Sequence, residues 1–359
     1  MTAPDAQIRA AEIVLPGAAL EATLDFFAGL GFRVETIFPA DAPSVAVIAG
    51  HGLRLRLERG GDEIGAAGTI RLLCRAPDAV AGGARVLTAP NGTRVEIVDA
   101  DAPVVVPALR SRFVLARMGD DAAWSAGRAG MAYRDLIPDR LGGRFIASHI
   151  AIRDGGAVPD YVHFHKVRFQ MIFCRKGWVR VVYEDQGEPF VLAPGDCVVQ
   201  PPQIRHRVLE SSPGLEVIEI GCPALHETFA DHAMSLPNAV IDRARDFGGQ
   251  RFHRHVAADA GLTPWRAAGF ACRDTGIATA TAGLAGARVV FPRGGTRTPP
   301  LRHDGEFLFL FVLDGAALLD CEGRHRLAPG DAVTIPAGMD HALEDCAADL
   351  ALLEVTLPG

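Results

Sequence analysis

His163 and His165 stand one residue apart in the stretch Val162 to Gly177, VHFHKVRFQMIFCRKG, and Gln170 follows among apolar neighbours. In an extended strand, residues i and i+2 point to the same face, so the two imidazoles can converge on one point inside a barrel. Convergent imidazoles are what a divalent metal needs. The simpler reading makes one histidine a surface residue and the other a hydrogen-bonded core residue, as expected of any lone histidine. The elements around them decide between the two.

Those elements come from a repeat. Trp124 to Gly156 aligns with Trp265 to Gly295, sharing Arg-Asp at 134/135 and 273/274. The alignment runs on through Gly177 and Gly315 to LAPGDCVVQPPQIRH (Leu192 to His206) against LAPGDAVTIPAGMDH (Leu327 to His341). Such self-similarity means one structural unit used twice. Within each unit, short runs such as WVRVVYE, PFVLAPGD and LEVIEIG alternate with Gly, Pro and Asp, the pattern of a sandwich or barrel of antiparallel strands.

With Gly156, His163-Phe-His165, Gln170 and Gly177 followed by Gly195, Pro201 and His206, the first copy resembles the two-part motif of the cupin superfamily. The resemblance implies a mainly β chain with two tandem cupin jelly-roll barrels, 105–232 and 233–359. It also implies one divalent metal held by His163, His165, the residue at 170 and His206. Glutamate is the common residue where this chain has Gln170. In the second copy Leu301 and Leu308 stand where the first histidine and the carboxylate would be, leaving His303 and His341. Catalytic metals normally take three or more protein ligands, so the second barrel is expected to be metal-free. Asp304 and Glu306 have offsets that aim them elsewhere on an alternating strand.

Ahead of the repeat the sequence reads strand, amphipathic helix, then strands. Leu20, Leu24, Phe27 and Leu30 recur at helical spacing and Gly31 ends the helix. Residues 7 to 100 resemble the vicinal-oxygen-chelate (glyoxalase-like) module, a small α+β βαβββ domain assigned here to 1–104. Glu12 and Glu96 fall near its ligand positions, but the two middle positions offer apolar or arginine residues, so a metal-free packing or dimerisation module is expected. The Pro- and Val-rich Asp99 to Phe113 reads as a linker.

The totals narrow the function. A chain of 359 residues is long enough for two or three domains. Its 36 basic and 43 acidic residues give a net charge of −7 with no basic block, so nucleic acid is not an expected partner. Seven cysteines without a CxxC pair suit buried residues or free thiols in a reducing compartment. Cys174 and Cys197 flank ligand-bearing segments, yet no base is paired with either. The start of the sequence lacks a basic stretch followed by a long apolar one, and no later run reaches membrane-span length. A soluble cytoplasmic protein with no membrane partner is expected. FLFLFVL (Phe307 to Leu313) implies burial on both faces, by inter-barrel packing or in a homodimer interface. His253 and His255 mimic the HxH pair without a partner histidine at barrel spacing, and read as surface or inter-repeat residues.

With His163, His165, Gln170 and His206 as ligands, every donor is neutral and a divalent ion keeps its full charge. Such a site favours small anionic, chelating substrates: enolates, α-hydroxy or α-keto acids and phenolates. Imidazole suits several transition metals; iron leads, with Zn, Ni, Mn or Cu as alternatives. Gln170 either ligates through its amide oxygen or supports a three-histidine site from behind. Two classes of function follow. One is an enzyme: a dioxygenase-type oxidoreductase, or a Lewis-acid isomerase or lyase. The other is a non-catalytic protein that binds or senses a small ligand. Open coordination positions favour the enzyme. Tyr161, Arg168 and Arg205 are candidates to orient a substrate carboxylate, each being as readily a solvated surface residue.

Overall fold

The computed structural model describes residues 8–16, 20–29, 32–50, 52–59, 69–88, 94–119 and 123–358. The chain divides into two compact units, Met1–Val105 with His226–Ala233, and Val106–Leu225 with Met234–Gly359. In the first, the helix Leu20–Gly29 packs Leu20, Leu24 and Phe27 against Ile37, Ala46 and Ile48 of the following strands. The expected order of strand, helix and strands is present, while Leu30 and Gly31 fall outside the described residues. Its sheet is mixed: Ile8–Pro16 runs parallel to Leu53–Glu58 and antiparallel to Thr69–Cys74. Thr228–Ala230, from far along the chain, adds to this sheet on Arg33–Phe38. No helix among the described residues is long and apolar enough to cross a membrane.

The second unit contains two barrels of antiparallel strands. In the first, the larger sheet is built around Phe169–Lys176, Leu215–Cys222 and Ile146–Ile152, and the smaller around Val179–Tyr183, His206–Ser211 and His163–His165. The second barrel repeats this with Phe307–Asp314, Ala351–Leu357 and Gly286–Pro292 facing Ala317–Asp320, Arg324–Leu327 and Ala342–Glu344. Gly177 and Gly315 turn the chain at equivalent corners with φ of 71° and 70°. A Cβ at Gly177 would strike Ser212 Oγ, and one at Gly315 would lie 2.7 Å from Leu350 Cα, so both conformation and space require glycine.

Side-chain alternation explains the unbroken apolar runs. On Phe169–Lys176, Phe169, Met171 and Phe173 join a core shared with the other barrel, whereas Gln170, Ile172 and Cys174 face the interior of their own. On Phe307–Asp314, Phe307, Phe309 and Phe311 join the shared core, and Leu308, Leu310 and Val312 fill the second barrel. Phe145 stacks on Phe307 with ring centroids 4.2 Å apart. Each such ring contributes roughly 1.5–3 kcal/mol by leaving water. Inter-barrel packing therefore accounts for FLFLFVL.

The barrels also exchange strands. Val114–Ala116, which precedes the first barrel, pairs with Ala332–Thr334 of the second, and His253–His255, which precedes the second, pairs with Cys197–Val199 of the first. One aspartate of each APGD turn secures the visiting segment. Asp331 accepts from Ala328 and Met118 amides at 3.1 and 2.8 Å, and Asp196 from Ala193 and Ala257 at 3.0 and 2.8 Å. Of the two readings of His253 and His255, the inter-repeat one holds: their strand is the one exchanged, and His255 is buried in it. One expectation differs. The end of the Asp99 to Phe113 segment is packed, with Val106 and Leu109 against the shared core.

Candidate functional site

His163 and His165 extend from one face of the strand His163–His165, and His206 lies directly across the ladder from His163. Register and alternation together bring three imidazoles to one point. Their ligand nitrogens lie within 4.8 Å of one another, and all three rings are buried. Backbone carbonyls set their orientation: His163 Nδ1 lies 2.8 Å from Tyr161 O and His206 Nδ1 lies 3.1 Å from Ile204 O. A ring that donates Nδ1–H to a carbonyl has its Nε2 lone pair for accepting or ligating; at His163 that lone pair accepts from the Arg128 guanidinium 2.7 Å away. Burial lowers the pKa of His206 to about 4, and burial with the Arg128 charge holds His163 well below its ordinary value. Both are neutral at pH 7, as metal ligation requires. With the Arg128 guanidinium drawn off His163 Nε2, the three imidazoles are a donor set that fits a divalent transition metal.

The histidines line a cavity of about 90 Å³. Gln170, Gln200, Tyr183, Glu219 and Arg128 are its other polar lining, and Met131, Ile150, Val181, Leu192 and Val217 form apolar walls. Arg128 bonds to Asp160 at 2.6 Å, both side chains almost wholly buried, and its other nitrogen reaches His163 Nε2 at 2.7 Å. Asp160 Oδ2 accepts from the Val208 amide at 2.9 Å, which fixes the pair to the strand bearing His206. Gln170 Nε2 donates to Glu219 Oε1 at 2.6 Å. Gln200 Nε2 donates to the Tyr183 hydroxyl at 3.0 Å, and the Tyr183 ring stacks on His206.

The structure thus brings His163, His165, Gln170 and His206 to one cavity. The other three candidates do not line it. Tyr161 contributes its carbonyl, and its ring stands 6.0 Å from that of His163. Arg168 is turned away into an ion pair with Glu306 of the second barrel, and Arg205 lies over the Phe164 ring at 4.3 Å. Both arginines are near the ligands in sequence, but alternation and turn geometry point them out of the barrel. Arg128, Asp160, Tyr183, Gln200 and Glu219 were not anticipated. A carboxylate in phase with Leu215 and Val217 was the available signal for Glu219.

In the second barrel Leu301 bridges His341 as His163 faces His206, so Leu301 occupies the position of the first histidine. His303 is spent on a backbone carbonyl, Ile335 O, at 2.8 Å. In the first unit Glu12 pairs with Arg54 at 3.2 Å and Glu96 with Arg71 at 2.7 Å. All seven cysteines are buried and free; burial raises Cys174 and Cys197 to about 12, which leaves both thiols protonated and unreactive.

Residues 287–355, within the second barrel, match the family model for the cupin domain. The fold is a tandem cupin. Among solved structures, a deletion mutant of Bacillus subtilis oxalate decarboxylase has a TM-score of 0.50 and 14% identity, covering 71% of this chain and 78% of that one. Lactobacillus farciminis oxalate decarboxylase in a formate complex has a TM-score of 0.50 and 16% identity, covering 71% and 87%. The protein Ylba of E. coli has a TM-score of 0.49 and 11% identity, covering 72% and 94%. No curated protein matches the chain.

Proposed function

We propose that the first cupin barrel is the active site of a metal-dependent enzyme for a small anionic, chelating metabolite with an apolar body. The reaction we assign is of dioxygenase type. The observation that carries this reading is the three buried imidazoles converging in a cavity that also has apolar walls. His163, His165 and His206 would hold one divalent transition metal, iron first, which when bound supplies Lewis acidity and open positions for substrate and O2. The chain does the rest. Arg128, kept charged by Asp160, offers a guanidinium beside the histidines for a substrate carboxylate or enolate oxygen. The apolar walls exclude water and contact an alkyl or aryl group. A compact diacid such as oxalate would leave those walls unused. An isomerase or lyase is the second reading, favoured by the Glu219 carboxylate in the same cavity as a proton acceptor.

Metal analysis of protein purified without added metal, then oxygen uptake against diketones, hydroxy acids, catechols and oxalate, tests the reading. Uptake with an alkyl-bearing chelator supports it; a tightly bound zinc with no uptake across the panel defeats the dioxygenase assignment. We further read residues 1–104 as a glyoxalase-like packing or dimerisation module, with 105–232 and 233–359 as the two barrels. Light scattering of the intact chain tests the homodimer this allows.

A further inference from the structure

Glu219 stands directly opposite Ile172, and so diagonal to Gln170 on the same inward face of the sheet. A carboxylate only accepts hydrogen bonds here, so the Gln170 amide is fixed with its nitrogen toward Glu219 and its oxygen turned away. The equivalent position in the second barrel is Glu354, opposite Leu310. There Leu308 replaces the glutamine, and the buried carboxylate instead meets Arg266 at 2.8 and 2.5 Å and Arg288 at 3.6 Å. Arg288 lies across the ladder from Glu354, where the first barrel sets the small Ser148 across from Glu219. The barrel without the histidine set thus surrounds this carboxylate with guanidinium groups. The barrel with the set directs its carboxylate to an amide.

Resting on the metal centre proposed above, we propose that Glu219 is its positioning residue: it holds the Gln170 N–H, aims the Gln170 carbonyl oxygen at the histidines as a fourth donor, and places a negative charge one hydrogen bond behind that donor. A carboxylate accepting from an amide N–H draws electron density onto the amide oxygen and makes it a better ligand. Gln170 and Glu219 together then do what a single carboxylate at position 170 would do.

Co(II) titration of the metal-free protein, followed by calorimetry and visible absorption, tests this without any turnover. Wild type should take up one Co(II) per chain. Glu219→Gln should bind it roughly 10- to 100-fold more weakly, with shifted d–d bands. The paired exchange Gln170→Glu with Glu219→Gln keeps the hydrogen bond with its roles reversed, and should bind at least as tightly as wild type. Unchanged affinity and spectrum in Glu219→Gln overturn the proposal. So does a paired exchange more than about tenfold weaker than wild type, a result that decides the matter even where Glu219→Gln alone does not fold. A wild type that takes up no Co(II) overturns the metal centre itself and this inference with it.

Discussion

Two of the three imidazoles, His163 and His206, owe their orientation to backbone carbonyls, and the charge beside them to one buried ion pair. Changing His163 and His165 together to alanine should empty the site, whereas His303→Ala and His341→Ala should leave metal content unchanged; elemental analysis of each variant checks both. Arg128→Ala would leave the fully buried Asp160 carboxylate without its cation. A loss of about 3–5 kcal/mol is expected in urea denaturation, much of it recovered by Arg128→Lys. A variant as stable as wild type would mean that Asp160 finds another partner. His163, His165 and His206 were legible in the sequence because a period of two and a two-part motif fix them. Arg128 was not, because it reaches the cavity from a segment far from the ligands in the chain, while Glu219 carried only its phase with Leu215 and Val217. Arg168 and Arg205 show the converse: closeness in sequence put them near the ligands, and strand geometry turned them outward.

A strand buried on both faces answers to two environments, and the phase of its residues tells which. Phe309 belongs to the inter-barrel core and Leu308 to the barrel interior, though they are adjacent. Phe309→Ala should cost about 3–5 kcal/mol by urea denaturation, since no neighbour can close the void. Gly177→Ala adds a single methyl group, yet positive φ and the contact with Ser212 should cost about 1–3 kcal/mol, measured in the same way. An unchanged midpoint would show that this corner can shift. The repeat and its turns made the barrels legible from sequence, as did the apolar runs. The exchanged strands were not, because three-residue pairings carry no periodic signal and the chain between them reads as linker.

Across the whole of the second unit, a buried polar network joins the barrels. Arg134 donates to Gly330 O of the second barrel at 2.7 Å and to His149 Nδ1 at 3.1 Å, while His149 Nε2–H donates to Glu216 at 2.9 Å. Burial lowers His149 below its ordinary 6.5, and the His149 hydrogen bond, together with Arg175, lowers Glu216 to about 2. Both folded-state values lie below the unfolded ones. Their contribution is complete at neutral pH and is lost on acidification, first below 6.5 as the unfolded His149 gains its proton, then from 4.5 toward 2 for Glu216. Stability in urea should therefore fall as pH drops, and His149→Gln should flatten the part between pH 7 and 5. A variant profile that parallels wild type there would remove His149 from the account.

Leu301 and Leu308 do more than mark a lost ligand set. They add apolar side chains to one interior, where the other keeps its histidines around a cavity of about 90 Å³. The duplicated chain is therefore expected to have a gradient of rigidity, with one copy acting as anvil and the other freer to breathe around its ligands. Native-state hydrogen exchange should show amides of Phe307–Asp314 opening less often than those of His163–His165, and added metal should slow exchange mainly in the latter.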